Sequence, residues 1–112
     1  MLLQRIRSGA LGRDQFGAEL GMAAVYCAEE VGGSGLRRID AVRIFTELAA
    51  ADPAIASFLS IHNMCAWMVD SYGTDAQRAH WIPRLASMQT VASYCLTEPG
   101  AGSDAFGAMK TT

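Results

Sequence analysis

The sequence predicts a mainly α fold: a helical bundle that gives way, near its end, to one strand and a loop poor in side chains. Three observations carry this. Apolar residues recur at intervals of three and four between Asp40 and Tyr72, the spacing of a helix face. Two helix-start signals, Asp52-Pro53 and Thr74-Asp75-Ala76-Gln77, mark where one helix gives way to the next. Finally YCLTEPGAGSD, Tyr94 to Asp104, interrupts the helical pattern with Pro99, Gly100 and Gly102.

Residues 1–14 form a poorly defined segment carrying Arg5, Arg7 and Arg13. It lacks the apolar centre of a secretory signal, and reads as a frayed start or as the remnant of a mitochondrial transit peptide. Gln15 to Leu20 spells a short helix that Gly21 ends. MAAVYCAEE, residues 22–30, comes next as an extended or irregular segment. Val31-Gly32-Gly33-Ser34-Gly35 is a glycine-dense loop, which favours turns and close backbone approach; it is read as structural rather than ligand-binding.

Asp40 is placed as the N-cap of the next helix, with Ala41, Val42, Ile44, Phe45, Leu48 and Ala49 on its apolar positions. Asp52-Pro53 opens a second helix, aspartate as cap and proline at the first helical position. Its apolar residues, among them Ile55, Phe58, Leu59, Ile61, Cys65, Met68, Val69 and Tyr72, spread around most of its circumference. Such a helix belongs at the centre, surrounded by protein. Gly73 suits a C-terminal cap, and Thr74 with Gln77 has the spacing of a capping box. Pro83 is expected to break or kink the third helix, because it has no amide donor and clashes with the preceding turn. A last turn reaches Met88, and Val91 to Thr97 reads as a strand.

Composition narrows the function. The chain has 112 residues, a net charge of −2 and no cluster of more than two adjacent basic residues, which speaks against nucleic-acid binding. Its longest uncharged run, Pro53 to Val69, falls short of the ~20 mainly apolar residues of a membrane span. Apolar residues make up 51%, the upper edge of the ordinary ~45–50% range. Cys27, Cys65 and Cys95 are odd in number, widely spaced and form no CxxC, so they read as reduced, buried thiols. His62 has no carboxylate three or four residues away on its helix and reads as a hydrogen-bonded core histidine. Met64, Trp67 and Met68 read as packing. His80 is placed at the surface, and Asp75, Arg78 and Arg84 are read as solvated.

The chemistry points to the loop. A strand would deliver Thr97 and Glu98; Pro99-Gly100 suits the central pair of a type II turn, with glycine at positive φ. Gly100, Ala101 and Gly102 carry almost no side chain, so successive amides could form an anion-binding nest, with the Ser103 and Thr97 hydroxyls at its rim. A phosphate-binding Walker loop is excluded, because no lysine stands in place. Gly100-Ala101-Gly102-Ser103-Asp104-Ala105 formally matches the dinucleotide fingerprint, but that fingerprint opens a helix inside a βαβ unit, and none is spelled here. By itself PGAGSD is more often a plain turn than a cofactor loop.

With its flanks the stretch says more. YCLTEPGAGSD resembles the flavin-contacting signature of the acyl-CoA dehydrogenase family. EEVGGSGL, the helix from Asp40, the buried helix ending at Tyr72-Gly73 and the capped helix with PRL stand in that family's order. SIHNMCAWM and ASYCLTEPG are most similar to its isobutyryl-CoA branch. The resemblance covers Phe16 to Thr112. It implies an N-terminal helical-bundle domain over residues 15–90, then the first strand and flavin loop of the middle β-domain over 91–112, truncated.

It also implies roles. Tyr94, Cys95, Leu96, Thr97, Glu98, Pro99, Gly100, Ala101, Gly102 and Ser103 would lie along FAD, with the backbone around Leu96 and Thr97 bonded to the flavin ring. Ser103 would also approach the acyl-CoA substrate, and Ser57, Ser60 and Met64 would border the acyl chain. The family removes a proton from the α-carbon and a hydride from the β-carbon of an acyl thioester and passes the electrons to an electron-transfer flavoprotein. The parent enzyme is expected to be a homotetramer oxidising a short, branched acyl-CoA, in bacterial cytoplasm or alternatively in the mitochondrial matrix. Its catalytic glutamate is expected beyond Thr112, since neither Glu98 in the turn nor Glu47 on an amphipathic helix suits the role. The fragment is therefore expected to be inactive and weakly stable alone. The alternatives are an acyl-CoA oxidase or flavin monooxygenase of the same fold, and, from another class, a non-catalytic helical interaction module.

Overall fold

A computed structural model describes residues 17–104 and 107–111. It is mainly helical. Among the described residues, three complete helices come one after another, α1 (Arg38–Ala51), α2 (Pro53–Tyr72) and α3 (Asp75–Ala86), with a 3-10 turn at Glu29–Val31 ahead of them. Helix α2 packs against both α1 and α3.

The chain enters through helical residues 17–19. Gly21, at φ 67°, ends them as expected: its amide returns to the Ala18 carbonyl at 3.0 Å and that of Met22 to Gly17 at 2.7 Å. This pair of bonds is a Schellman cap, which requires a left-handed residue.

Residues 22–28 are irregular yet central. Ala23, Ala24, Val25 and Cys27 are all buried, and three of them join two apolar clusters. Ala24 and Cys27 join Ala66, Ile82 and Leu85. Ala23 joins Leu59 and Met88, with Phe45, Leu48 and Ile55 against them. Truncating a residue such as Leu59, 0% exposed, to alanine costs about 2–5 kcal/mol.

Non-helical backbone at this depth needs partners for its polar groups, and it finds them. The glycine-dense loop supplies one set: the amides of Gly33, Ser34, Gly35 and Leu36 donate to the carbonyls of Ala28, Ala24, Cys27 and Val25, each at 2.9 Å. The loop is structural, as its composition suggests. Gly33 is required there, because a Cβ would fall on the Cys27 carbonyl. Helix α2 supplies the rest. The Val25 amide donates to Asn63 Oδ1 at 2.7 Å, and Asn63 Nδ2 donates to the Met22 carbonyl at 2.6 Å. The Ala28 amide donates to Asp70 Oδ2 at 2.8 Å.

Both helix starts behave as their sequences predict. Asp52 is the only residue between α1 and α2; its carboxylate accepts from the Ala54 and Ile55 amides at 2.9 and 3.1 Å. Thr74 and Gln77 form the complete capping box.

Several expectations are corrected. Helix α1 begins at Arg38 with Arg37 as its cap residue, so Asp40 lies inside the first turn. There it accepts from Arg37 at 3.0 Å, and this bond holds its carboxyl below the ordinary range. Gly73 caps α2 as expected, at φ −74°; it is needed because a Cβ would meet the Val69 carbonyl. Pro83 does not break α3, which continues to Ala86. Ile82 and Leu85 on either side are buried, and their packing outweighs the missing amide bond. Arg78 is not free in solvent: it bridges Asp70 at 2.9 Å and Glu30 at 3.2 Å. Of the cysteines, only Cys27 is buried; Cys95 is exposed.

Helix α2 is central but not fully enclosed. Ala56, Leu59, His62, Asn63 and Ala66 are buried, whereas Phe58 and Ile61 remain 42% and 39% exposed. The expected strand Val91–Thr97 is not formed among the described residues. A strand needs a neighbour to share its amides and carbonyls, and none of the described residues pairs with this one.

Candidate functional site

Segment 91–104 leaves the end of the bundle, and its first residues, 91–93, lie against α2. Its first anchor is His62, wholly buried on α2, whose Nδ1 accepts the Ala92 amide at 3.1 Å. The other ring nitrogen, Nε2, lies 3.0 Å from the Leu85 carbonyl in the last turn of α3. The core reading of His62 is thus upheld. Ser93 to Thr97 make no hydrogen bond among the described residues.

The second anchor is a turn. Glu98 and Ala101 exchange both backbone bonds, at 3.0 and 3.1 Å, around Pro99-Gly100. Gly100 is not at positive φ, so the turn is not type II; proline followed by glycine also fits turns without a left-handed residue. Because the Ala101 amide is engaged by Glu98, and Ala101 is 3% exposed, the nest expected over Gly100, Ala101 and Gly102 is not formed.

Glu98 has a structural task. Its carboxylate accepts the amides of Lys110 and Thr111 at 2.9 and 3.0 Å. Thr111's side-chain hydrogen bond, then these amides, hold the carboxyl below its usual range. Its place in the turn agrees with the sequence reading.

The remaining residues divide. Tyr94, Cys95, Thr97, Pro99, Gly100, Gly102 and Ser103 are exposed and Leu96 half-buried. A Cβ at Gly100 or Gly102 would meet nothing within 4 Å, so the backbone there is open to a ligand's approach. Ser57 lines a groove of about 320 Å³ together with Phe58, Ile61, Val91, Ala92 and Ser93. Ser60 and Met64, half-buried on the same helix, do not line it, and the Ser60 hydroxyl turns back to the Ser57 carbonyl at 2.9 Å. The structure therefore brings Ser57 to the segment and leaves Ser60 and Met64 apart from the groove.

Asn63 and Asp70 escaped the sequence reading. Their signal was present: Leu59, Asn63, Ala66 and Asp70 recur at helical spacing, so two polar residues stand on an inward stripe. A polar group in that position must be answered by a buried partner.

The helical part of the fold agrees with comparison to known proteins. Residues 13–89 match the model of the acyl-CoA dehydrogenase N-terminal domain. The chain belongs to the acyl-CoA dehydrogenase family. Within this family it is 56% identical over 94 residues to isobutyryl-CoA dehydrogenase, mitochondrial, of Dictyostelium discoideum, covering 84% of the chain and 22% of that relative. It is 48% identical over 92 residues to the Bos taurus protein of the same name, covering 82% and 22%. The short/branched chain specific acyl-CoA dehydrogenase, mitochondrial, of Bos taurus is 37% identical over 92 residues, covering 81% and 21%. The chain thus spans about a fifth of the length of these acyl-CoA dehydrogenases. Among the described residues, no helix is long and apolar enough to cross a membrane, and no group of three His, Cys, Asp or Glu could hold a metal ion.

Proposed function

We propose that this chain is part of a flavin-dependent acyl-CoA dehydrogenase that oxidises a short, branched acyl-CoA to its 2,3-enoyl-CoA, with isobutyryl-CoA the first candidate substrate. The observation that carries the reading is the segment Ser93–Thr97. It is anchored at Ala92 and again at Glu98, and between them offers backbone groups with no partner among the described residues. Side-chain-free positions at Gly100 and Gly102 lie just beyond. This donor set fits a ring rich in carbonyls and nitrogens, and a phosphate next to it.

FAD, when bound, supplies the acceptor for the β-hydride. The part of this chain is to bind and orient. Amides of Tyr94 to Thr97 and the Thr97 hydroxyl would hold the ring. Donors at such positions favour an electron-rich reduced flavin. Ser103 would donate toward the phosphates or the thioester arm. The groove at Ser57, Phe58 and Ile61 would receive the small apolar acyl group; of the three helix residues expected there, Ser57 has the best support. The base that takes the α-proton would come from another part of the protein, since Glu98 is committed to Lys110 and Thr111. Transfer of electrons to an electron-transfer flavoprotein, and assembly as a homotetramer, belong to the same proposal. The mitochondrial names of the relatives at 56% and 48% identity support the matrix alternative over a bacterial cytoplasm.

The test is to purify the full-length polypeptide and titrate it anaerobically with isobutyryl-CoA. Retained flavin whose visible absorbance bleaches, and which reoxidises slowly in air, is the expected result. A colourless protein, or a flavin indifferent to short acyl-CoA thioesters, would overturn the proposal; rapid reoxidation by oxygen would favour the oxidase alternative.

A further inference from the structure

The two bonds of His62 have different beneficiaries. A carbonyl only accepts and a peptide N–H only donates. The Leu85 carbonyl at 3.0 Å therefore requires the proton on Nε2, and the Ala92 amide at 3.1 Å requires a bare Nδ1. The partners select one neutral tautomer. Its Nε2 side ties α2 to α3, inside the bundle. Its Nδ1 side ties α2 to residue 92, thirty positions away in sequence, where the bundle has already ended.

Beyond Ala92 nothing among the described residues hydrogen-bonds the chain until Glu98. An extended chain advances about 3.3 Å per residue, so any slip at Ala92 is passed on to Tyr94–Thr97. We propose that His62 is a positioning residue: through Nδ1 it fixes the register of the cofactor-contacting segment against α2. This deepens, and rests on, the flavin reading above. It assigns His62 no contact with flavin or substrate.

Two isosteres separate this role from ordinary core packing. Asparagine at position 62 places an acceptor where Nδ1 stands and abandons Leu85. Glutamine places a donor where Nε2 stands and abandons Ala92. Each loses one buried hydrogen bond, so a purely structural histidine predicts equal damage.

The experiment compares wild type, His62→Asn and His62→Gln as the full-length protein, reading flavin affinity and amide hydrogen exchange. His62→Asn should keep flavin affinity near wild type. His62→Gln should lose about tenfold, the size of one hydrogen bond of about 1.4 kcal/mol, and Ala92 should lose its exchange protection in that variant alone. Equal losses in both variants, or an unaffected His62→Gln, would overturn the proposal. If the wild type carries no flavin, the flavin reading fails, and exchange at Ala92 still decides the role of His62 by the same contrast. If the variants do not fold, the wild type stripped of flavin decides: an Ala92 amide protected from exchange supports the tether, and an unprotected one refutes it.

Discussion

The side chain of Asn63 stands in for a strand that Val25 does not have: its Oδ1 takes the Val25 amide at 2.7 Å, across thirty-eight positions of sequence. At the same time its amide donates to the Met22 and Leu59 carbonyls at 2.6 and 2.8 Å. One side chain, fully buried, thereby answers the backbone of an irregular segment that the two apolar clusters need at their centre.

Replacing Asn63 by leucine keeps the branch at Cγ, enlarges the side chain and removes these partners. We expect a loss of about 1–3 kcal/mol for each buried group left unpaired. It should be seen as a lower urea midpoint at unchanged m-value. Ser57→Ala, on the exposed side of the same helix, should stay within about 0.5 kcal/mol of wild type. Similar midpoints for Asn63→Leu and Ser57→Ala would show that the Asn63 bonds carry no net stability.

Acid should release the tail from the turn. The folded Glu98 carboxyl titrates below its ordinary 4.5 because the charged form accepts the Thr111 hydroxyl and the Lys110 and Thr111 amides. A depressed carboxyl contributes its stabilisation fully above the unfolded value and loses it as pH falls through the folded one. The Lys110 and Thr111 amides should therefore keep constant NMR shifts from neutrality down to pH about 5 and move together below the ordinary carboxyl value. In Glu98→Gln that transition should vanish. Its persistence in the variant would assign it to another group.

The three thiols should react in order of exposure. Cys95 is exposed, Cys65 half-buried and Cys27 buried. Burial, then the nearby Asp70 charge, pushes the Cys27 thiol up to about 12, and the thiolate is the reactive form. A maleimide or disulfide reagent should modify Cys95 first and Cys65 next, leaving Cys27 untouched until the protein unfolds. Modification of Cys27 at the rate of Cys95 under native conditions would contradict the packing of Ala24, Cys27 and Ile82.

Much is legible in local sequence. Asp52 before Pro53, and Thr74 three residues before Gln77, make contacts within one turn, so their geometry is a consequence of spacing. Gly21 is equally local. Expectation and structure part where a local rule meets a long-range force. Pro83 lacks a donor, yet the burial of Ile82 and Leu85 holds α3 together through it. Asp40 is a good cap by type, but the helix starts earlier and Arg37 claims its carboxylate. Val91–Thr97 has a strand's composition, and a strand exists only when another offers its edge. In the candidate site, the openness of the backbone at Gly100 and Gly102 can be read from residue type. The engagement of the Ala101 amide by Glu98 cannot.

Residue order alone settles that helices dominate residues 40–86, how two of them begin, and which loop is bare enough for a ligand, because caps, proline and glycine act over a few bonds. That Asn63, Asp70 and His62 each serve backbone amides far away in the chain is settled only by the folded arrangement. Such pairings satisfy groups made solvent-inaccessible by packing, and a linear string does not say which amide will be stranded until the chain has closed around it.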